Sequence, residues 1–173
     1  PYLSQWYSFK WGLVSNLGTD LLVQAIGPWL GVEAALRLVL IATVAIQASG
    51  YVFLSRVVHG RTSPTVILAL VMIYNIAFHY GFLNFLLAAA LATWSIGLWI
   101  KLGADQRIWL RAALFAFIAP LLWVTHLVGW ALLLVYAGSD ELVRNYQRYG
   151  RSYRTITACI APCLTLLVPT LFY

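Results

Sequence analysis

The chain has 173 residues, of which 62% are hydrophobic and only 9% are charged, and its formal net charge is +6. Soluble domains carry roughly a quarter charged residues, so this composition excludes a soluble globule, and the basic residues form no stripe suited to nucleic acid. Several apolar runs exceed the roughly 20 residues that cross a bilayer as a helix. The sequence therefore predicts an all-α, polytopic membrane protein.

The N-terminal part of the chain is predicted to lie outside the bilayer core. Residues 1–19 are aromatic and polar and indicate an extracytoplasmic loop, and residues 20–31 indicate a short interfacial helix. Either Thr19 or Asp20 can cap that helix; Asp20 is alternatively a weak candidate for a catalytic base or a ligand of a divalent metal. Because the chain starts without methionine and ends inside an apolar run, we expect it to be a portion of a longer protein.

The first predicted transmembrane helix covers residues 32–58. Glu33 and Arg37 lie four residues apart near its start, a spacing that places them on one helix face, and we expect them to form an ion pair. The pair is interpreted as structural.

Two long apolar stretches follow, 65–100 and 108–143, each of 36 residues. As one helix each would be about 54 Å long, against a hydrocarbon core of about 30 Å, so each is predicted to fold back as a tight hairpin. The polar interruptions "FHYGFLNF" and "VTHLVGW" are the expected turns. With the last apolar run, this predicts about six membrane-crossing segments in one domain: 32–58, 65–79, 82–101, 108–125, 127–143 and 155–172.

The distribution of basic residues orients these segments. Under the positive-inside rule, the double-hairpin arrangement places three connections in the cytoplasm, and both histidine turns then lie on the extracytoplasmic face, which we take to be that of a bacterial inner membrane. The connections are 56–63, 101–111 and 144–154, and they hold nine of the eleven basic residues: Arg56, Arg61, Lys101, Arg107, Arg111, Arg144, Arg148, Arg151 and Arg154.

The two predicted turns supply the candidate substrate-binding residues. His79 and His126 lie at the turn apices, each near a glycine and aromatic residues. Ionisable groups at membrane depth are costly and therefore point to function, so both imidazoles are predicted to face one cavity together with Asn75, Tyr80 and Asn84. The alternative is that they are solvated interfacial turn residues.

The cytoplasmic connection "RNYQRYGRSYR" alternates arginine and tyrosine. This pattern indicates contact with anionic lipid headgroups; specific binding of a phosphate group is the alternative. The predicted headgroup contacts are Arg144, Arg148, Arg151 and Arg154. Asp140 and Glu141 are expected among these arginines, near the cytoplasmic boundary. Cys159 and Cys163 are interpreted as small buried thiols, and no metal site is predicted from their surroundings.

Several segments resemble the GT-C superfamily of membrane glycosyltransferases. The segment "DLLVQAIGPWLGVEAALRLVLIATVAIQASGYVFLSRVVHGR" is similar to the second-to-third-helix region of that superfamily, and the two long apolar stretches are similar to its next two hairpins. At the outer turn of the second hairpin many members carry a threonine and a basic residue, a place that Thr125-His126 occupies here. The other matching elements are Leu30-Gly31, Glu33-Ala34-Ala35, Arg37-Leu38 and His59-Gly60-Arg61.

The resemblance implies transfer of a sugar from a polyprenyl-phosphate donor on the extracytoplasmic face. In the family the catalytic acid usually lies in the first outer loop, whereas residues 1–19 contain no Asp or Glu and Asp20 follows them. Either the chain is part of a glycosyltransferase whose catalytic acid precedes residue 1, or it has the scaffold without the chemistry. A non-enzymatic subunit that packs in a larger membrane complex is therefore the alternative function, and a transporter or flippase is the third. The expected partners are membrane lipids, a polyprenyl-phosphate sugar and other membrane subunits.

Overall fold

A computed structural model describes residue 12 and residues 14–172, and these form an all-helical structure without a strand. The predicted loop at 1–19 lies mostly outside the described residues. The helices are α1 (Gly18–Leu30), α2 (Val32–His59), α3 (Val66–Val71), α4 (Ile76–His79), α5 (Leu83–Ala104), α6 (Ile108–Thr125), α7 (Leu127–Tyr149) and α8 (Tyr153–Cys163), with 3₁₀ turns at Met72–Tyr74 and Leu164–Phe172.

Four helical segments of the described chain are long and apolar enough to cross a membrane: Val32–His59, Leu83–Ala104, Ile108–Thr125 and Tyr153–Leu171. This agrees with an integral, multi-pass membrane protein. The predicted count of about six spans is not confirmed, because two of the predicted segments, 65–79 and 127–143, are not among these four. Helix α7 is long enough, but Asp140, Glu141 and Arg144 fall in its second half.

The other exception is the predicted span at 65–79, which is not one continuous helix. It consists of α3, a 3₁₀ turn and α4, interrupted at Asn75, whose backbone is extended. The Asn75 side chain accepts a hydrogen bond from the Phe78 backbone N–H at 3.2 Å and thereby caps α4. Asparagine favours such local bonds over helix continuation, so the segment is short and broken.

The last segment changes from α8 to a 3₁₀ helix near two prolines, Pro162 and Pro169. Proline has no backbone N–H. In a 3₁₀ helix the Leu166 carbonyl would accept from residue 169, and here that partner is missing. The Trp130 indole N–H donates to this carbonyl at 2.7 Å instead, which attaches the segment to α7.

Helix α5 lies at the centre of the packing and contacts α2, α6 and α7. Trp99 of α5 and Phe115 of α6 are fully buried and meet edge to face at 4.9 Å between ring centroids. On the other side, Gly97 lies against Phe53 and Leu54 of α2. Small residues at such contacts let membrane helices approach closely.

Candidate functional site

Asn84, in the first turn of α5, connects to the start of α1 through all of its side-chain polar groups. Its Nδ2 donates to the Asn16 carbonyl at 2.9 Å and to Asp20 Oδ2 at 3.0 Å. Its Oδ1 accepts from the Thr19 backbone N–H. The first N–H groups of a helix lack partners within the helix, and Asn84 supplies one from a distant element.

This arrangement corrects the expectation that Thr19 or Asp20 caps the short helix. The N-cap residue is Leu17, which makes no side-chain capping bond. Asp20 lies inside the first turn of α1, where a carboxylate interacts favourably with the helix dipole. Its carboxylate is exposed and is bound on Oδ2 by Asn84.

The start of α1 is also fixed to the end of α6. The backbone N–H groups of Asn16 and Leu17 donate to the Val124 carbonyl at 3.1 and 2.9 Å. Gly18 lies so close to Thr125 that an added Cβ would be 2.9 Å from the Thr125 Cα. Elements that are distant in sequence therefore meet at one place.

His126 is the single residue between α6 and α7, and it begins α7 as its N-cap. Its Nδ1 accepts from the Val128 backbone N–H at 3.1 Å, so the neutral ring carries its proton on Nε2. The ring meets Phe85 edge to face at 5.8 Å. Burial lowers the pKa of His126, so at neutral pH this residue is a neutral hydrogen-bond donor.

Asn84 and His126 line the same cleft, which has a volume of about 530 Å³. This is within the range of roughly 300–1,000 Å³ that is typical of small-molecule sites. The remaining lining residues are Asn16, Ala77, Gly81, Phe82, Leu83 and Phe85. Asp20 borders a neighbouring cleft between α1 and α2, so the Asn84–Asp20 hydrogen bond lies between two openings. We call Asn16, Asp20, Asn84 and His126 the Asn84 cluster.

The structure does not bring the other predicted residues to this cleft. His79 is exposed and contacts Phe78, and Tyr80 is exposed and stacks on Phe82 at 6.2 Å. Asn75 borders a separate, smaller cavity between α2 and α5. Of the residues predicted to bind substrate, Asn84 and His126 alone line the cleft, among the residues that the structure describes.

No three His, Cys, Asp or Glu side chains of the described chain are arranged to hold a metal ion. Cys159 and Cys163 are free and half-buried. The Cys159 thiol donates to the Thr155 carbonyl at 2.9 Å, one turn earlier in α8. The cysteines therefore have ordinary helix-packing surroundings.

Three of the four arginines predicted to meet lipid headgroups are exposed: Arg148, Arg151 and Arg154. Arg144 differs. It is half-buried, and it donates to Asp140 at 2.8 Å and to the Ile100 carbonyl at 3.0 Å. Its guanidinium therefore connects α7 to the end of α5, in addition to any contact with lipid.

Sequence reasoning missed a buried ion pair between Arg111 of α6 and Glu141 of α7. The Arg111 Nη1 is 2.7 Å from Glu141 Oε1, and the two side chains are only 5% and 7% exposed. The Arg111 guanidinium also lies 4.1 Å from the Trp99 ring centroid. A signal for the pair was present, since the residues are 30 apart and His126 is their midpoint.

Protonation of His126 is expected to weaken the start of α7. The imidazolium has donors on both nitrogens, so Nδ1 can no longer accept from Val128. Because the pKa in the folded state is below its ordinary value of 6.5, the unfolded chain takes up the proton first as the pH falls. The stabilisation from the neutral ring is complete above about pH 6.5 and is lost as the pH falls through the lowered pKa.

This expectation is measured as the thermal unfolding midpoint of the purified protein between about pH 8 and pH 5. The matched variant is His126→Asn, because asparagine is a good N-cap and does not titrate. The unfolding midpoint of the variant should depend less on pH, because the contribution of His126 is absent. An identical pH dependence in both proteins would show that His126 does not carry it.

Comparison of the chain with protein-family models, with curated proteins and with solved structures finds no match. The similarity to GT-C glycosyltransferases therefore stays a prediction from the sequence, and the function has to be inferred from the Asn84 cluster and its cleft.

Proposed function

We propose that this protein binds a polyprenyl-phosphate-linked sugar at the cleft beside the Asn84 cluster and transfers the sugar to an acceptor. The observation that supports this is the convergence of three side chains from α1, α5 and the α6–α7 junction. Asn84 binds Asp20 and shares its cleft with His126. A carboxylate, an amide and a neutral imidazole together supply a base and hydrogen-bond donors.

In the proposed reaction Asp20 acts as the general base. It takes the proton of an acceptor hydroxyl, the acceptor oxygen attacks the anomeric carbon, and the bond from that carbon to the phosphate oxygen breaks. The electron pair leaves with the phosphate, to which the Nε2–H of His126 donates. Asn84 orients the carboxylate through Oδ2, and within the described chain no hydrogen bond occupies Oδ1. Positioned bases and donors of this kind accelerate such reactions.

We further propose that the Asn84 cluster faces the extracytoplasmic side of a bacterial inner membrane. The packing of α2 on α5 supports this topology. Gln47 bonds to Thr93, and Phe53 lies against Gly97 further along both helices, so α2 and α5 run in the same direction. If both helices span the membrane, the chain between them has to return across it, and this supports the first hairpin in spite of the break at Asn75.

The Arg111–Glu141 pair supports the second hairpin. Its two residues are equally distant from His126, as expected of a hairpin in which α6 and α7 lie antiparallel and the chain turns at His126. The end opposite this turn contains the connections 101–111 and 144–154, which hold seven of the eleven basic residues of the chain. The positive-inside rule then assigns that end to the cytoplasm and the cluster to the outer face.

Polyprenyl phosphate, the product shared by all such donors, is the probe for the proposed site. In nanodiscs, His126→Ala is expected to weaken its binding about tenfold or more, since it removes a donor to a charged ligand. Asn84→Ala should also weaken binding, because it removes the hydrogen bonds that hold the start of α1 beside the cleft. His79→Ala is the matched control and should bind like the unaltered protein. If the unaltered protein binds no polyprenyl phosphate, the proposal is wrong and a non-enzymatic subunit becomes the better hypothesis.

Asp20→Asn separates binding from catalysis. The substitution removes a negative charge near the phosphate, so polyprenyl phosphate should bind at least as tightly as before. Sugar transfer from radiolabelled polyprenyl donors in native membranes should fall about 10²–10⁴-fold, which is the usual loss for a general base. Asp105→Asn, an exposed aspartate between α5 and α6, is the control. Transfer at an unchanged rate in the Asp20 variant would exclude Asp20 as the base.

A further inference from the structure

A second polar pocket lies at the other end of the helices, where α5 ends and α6 begins against the second half of α7. Its volume is about 270 Å³. Three guanidinium groups line it, those of Arg111, Arg144 and Arg148, together with the carboxylate of Glu141. It is separate from the Asn84 cluster and shares no residue with the cleft there.

The charges of this pocket do not balance. Glu141 neutralises Arg111, and Asp140 neutralises Arg144. Arg148 has no carboxylate within ion-pair distance among the described residues; its guanidinium lies 5.5 Å from the Tyr149 ring centroid. The wall therefore carries one positive charge in excess, next to two guanidinium groups that are held in place.

The fixed guanidinium groups also have unused hydrogen-bond donors. An arginine has five N–H donors. Over the described residues, hydrogen bonds use one of them in Arg111 and two in Arg144. Trp99 and the Ile100 carbonyl hold the two groups in position, and Gly103 makes room for them, since a Cβ there would lie 2.6 Å from Arg111 Nη1.

Pre-oriented guanidinium groups with spare donors and an unpaired positive charge are suited to the oxygens of a phosphate group. The volume of about 270 Å³ lies just below the range of roughly 300–1,000 Å³ that is typical of small-molecule sites. The additional wall is partly apolar, formed by Ile108, Ala158 and Pro162. We propose that the pocket binds a phosphate ester, with Arg148 supplying the charge that the ligand neutralises.

Two sources can provide this chemistry, the headgroup of an anionic phospholipid or a soluble phosphate ester. The test therefore has two arms with the purified full chain. In nanodiscs of phosphatidylcholine, glycerol 3-phosphate is titrated by calorimetry. In a second preparation, retention of phosphatidylglycerol against phosphatidylcholine is measured by native mass spectrometry. Binding in the first arm alone identifies a soluble ester, and binding in the second alone identifies a lipid headgroup.

The decisive variant is Arg148→Gln, because its side chain is exposed and makes no hydrogen bond with the rest of the described chain. It should fold normally and weaken binding about tenfold or more in the arm that shows binding. Arg151→Gln removes the same charge three residues later, outside the pocket lining, and should change binding less than about twofold, as expected of a screened surface charge. Equal losses in both variants would overturn the proposal in favour of diffuse surface attraction, and so would absence of binding in both arms.

Discussion

Replacing Glu141 with alanine is expected to destabilise the protein by about 3–5 kcal/mol. The substitution leaves the Arg111 guanidinium without its carboxylate at a position where the arginine side chain is 5% exposed. A buried charge without a partner costs far more than the lost attraction alone, because the guanidinium keeps most of its desolvation cost and loses the carboxylate that offset it. The measurement is the free energy of unfolding in detergent or nanodiscs.

The matched control is Glu33→Ala, which removes a carboxylate from an ion pair of nearly the same length. Glu33 Oε1 and Arg37 Nη2 are 2.6 Å apart, but their side chains are 82% and 74% exposed. Exposed pairs contribute about 0–1 kcal/mol. Equal losses in the two variants would show that burial does not govern the cost, contrary to the expectation.

The double variant Arg111→Met/Glu141→Leu gives a second check of the same physical cause. It removes both charges and keeps most of the side-chain volume. Replacement of a buried ion pair by apolar residues is often neutral or stabilising, so the double variant should be clearly more stable than Glu141→Ala. A double variant as unstable as the single one would indicate that packing around Trp99, and not the unpaired charge, causes the loss.

Hydrophobic length and polar interruptions were sufficient to predict most of the helices. The predicted segments 32–58, 82–101 and 108–125 correspond closely to α2, α5 and α6. The predicted turn at "VTHLVGW" falls where α6 ends and α7 begins. These features depend on local composition and on the rise per residue of an α-helix, so a single sequence is sufficient to predict them.

Apolar length alone could not show where a helix breaks or how far a polar helix continues. The segment 65–79 has enough apolar residues, but Asn75 bonds locally and interrupts it. Helix α7 extends to Tyr149, past the predicted end at 143, because Asp140 and Glu141 find arginine partners inside the bundle. Both outcomes depend on hydrogen bonds between specific side chains.

Only part of the candidate site was predicted from the sequence, because the contacts that form it depend on tertiary packing. The predicted turns indicate similar depths in the membrane for His79, Asn84 and His126, but they do not indicate the direction in which each side chain lies. The Asn84–Asp20 bond joins residues 64 apart in sequence, and its formation depends on how α1 packs on α5. Tertiary packing therefore decided that Asn84 and His126, and not His79 or Tyr80, line the cleft.

Gly129→Ala is expected to destabilise the protein by about 1–3 kcal/mol, whereas Gly138→Ala in the same helix is expected to stabilise it by up to about 1 kcal/mol. A Cβ on Gly129 would lie 2.6 Å from the Ala88 Cβ and 3.0 Å from the Ala88 carbonyl oxygen, and neither atom can rotate away. A Cβ on Gly138 meets nothing within 4 Å, so only the gain in helix propensity remains.

The measurement is again the free energy of unfolding, and equal changes in the two variants would contradict the close contact of α7 with α5.

The same pair of variants also tests whether this helix contact supports the proposed site. Gly129 lies in the first turn of α7, next to His126, and Ala88 lies one turn after Asn84 in α5. In the Gly129 variant, α5 and α7 should move apart at this contact, which should separate Asn84 from His126 and weaken polyprenyl phosphate binding. Gly138→Ala should leave this binding unchanged. A Gly129 variant that is destabilised but binds normally would show that the cleft does not depend on this helix contact.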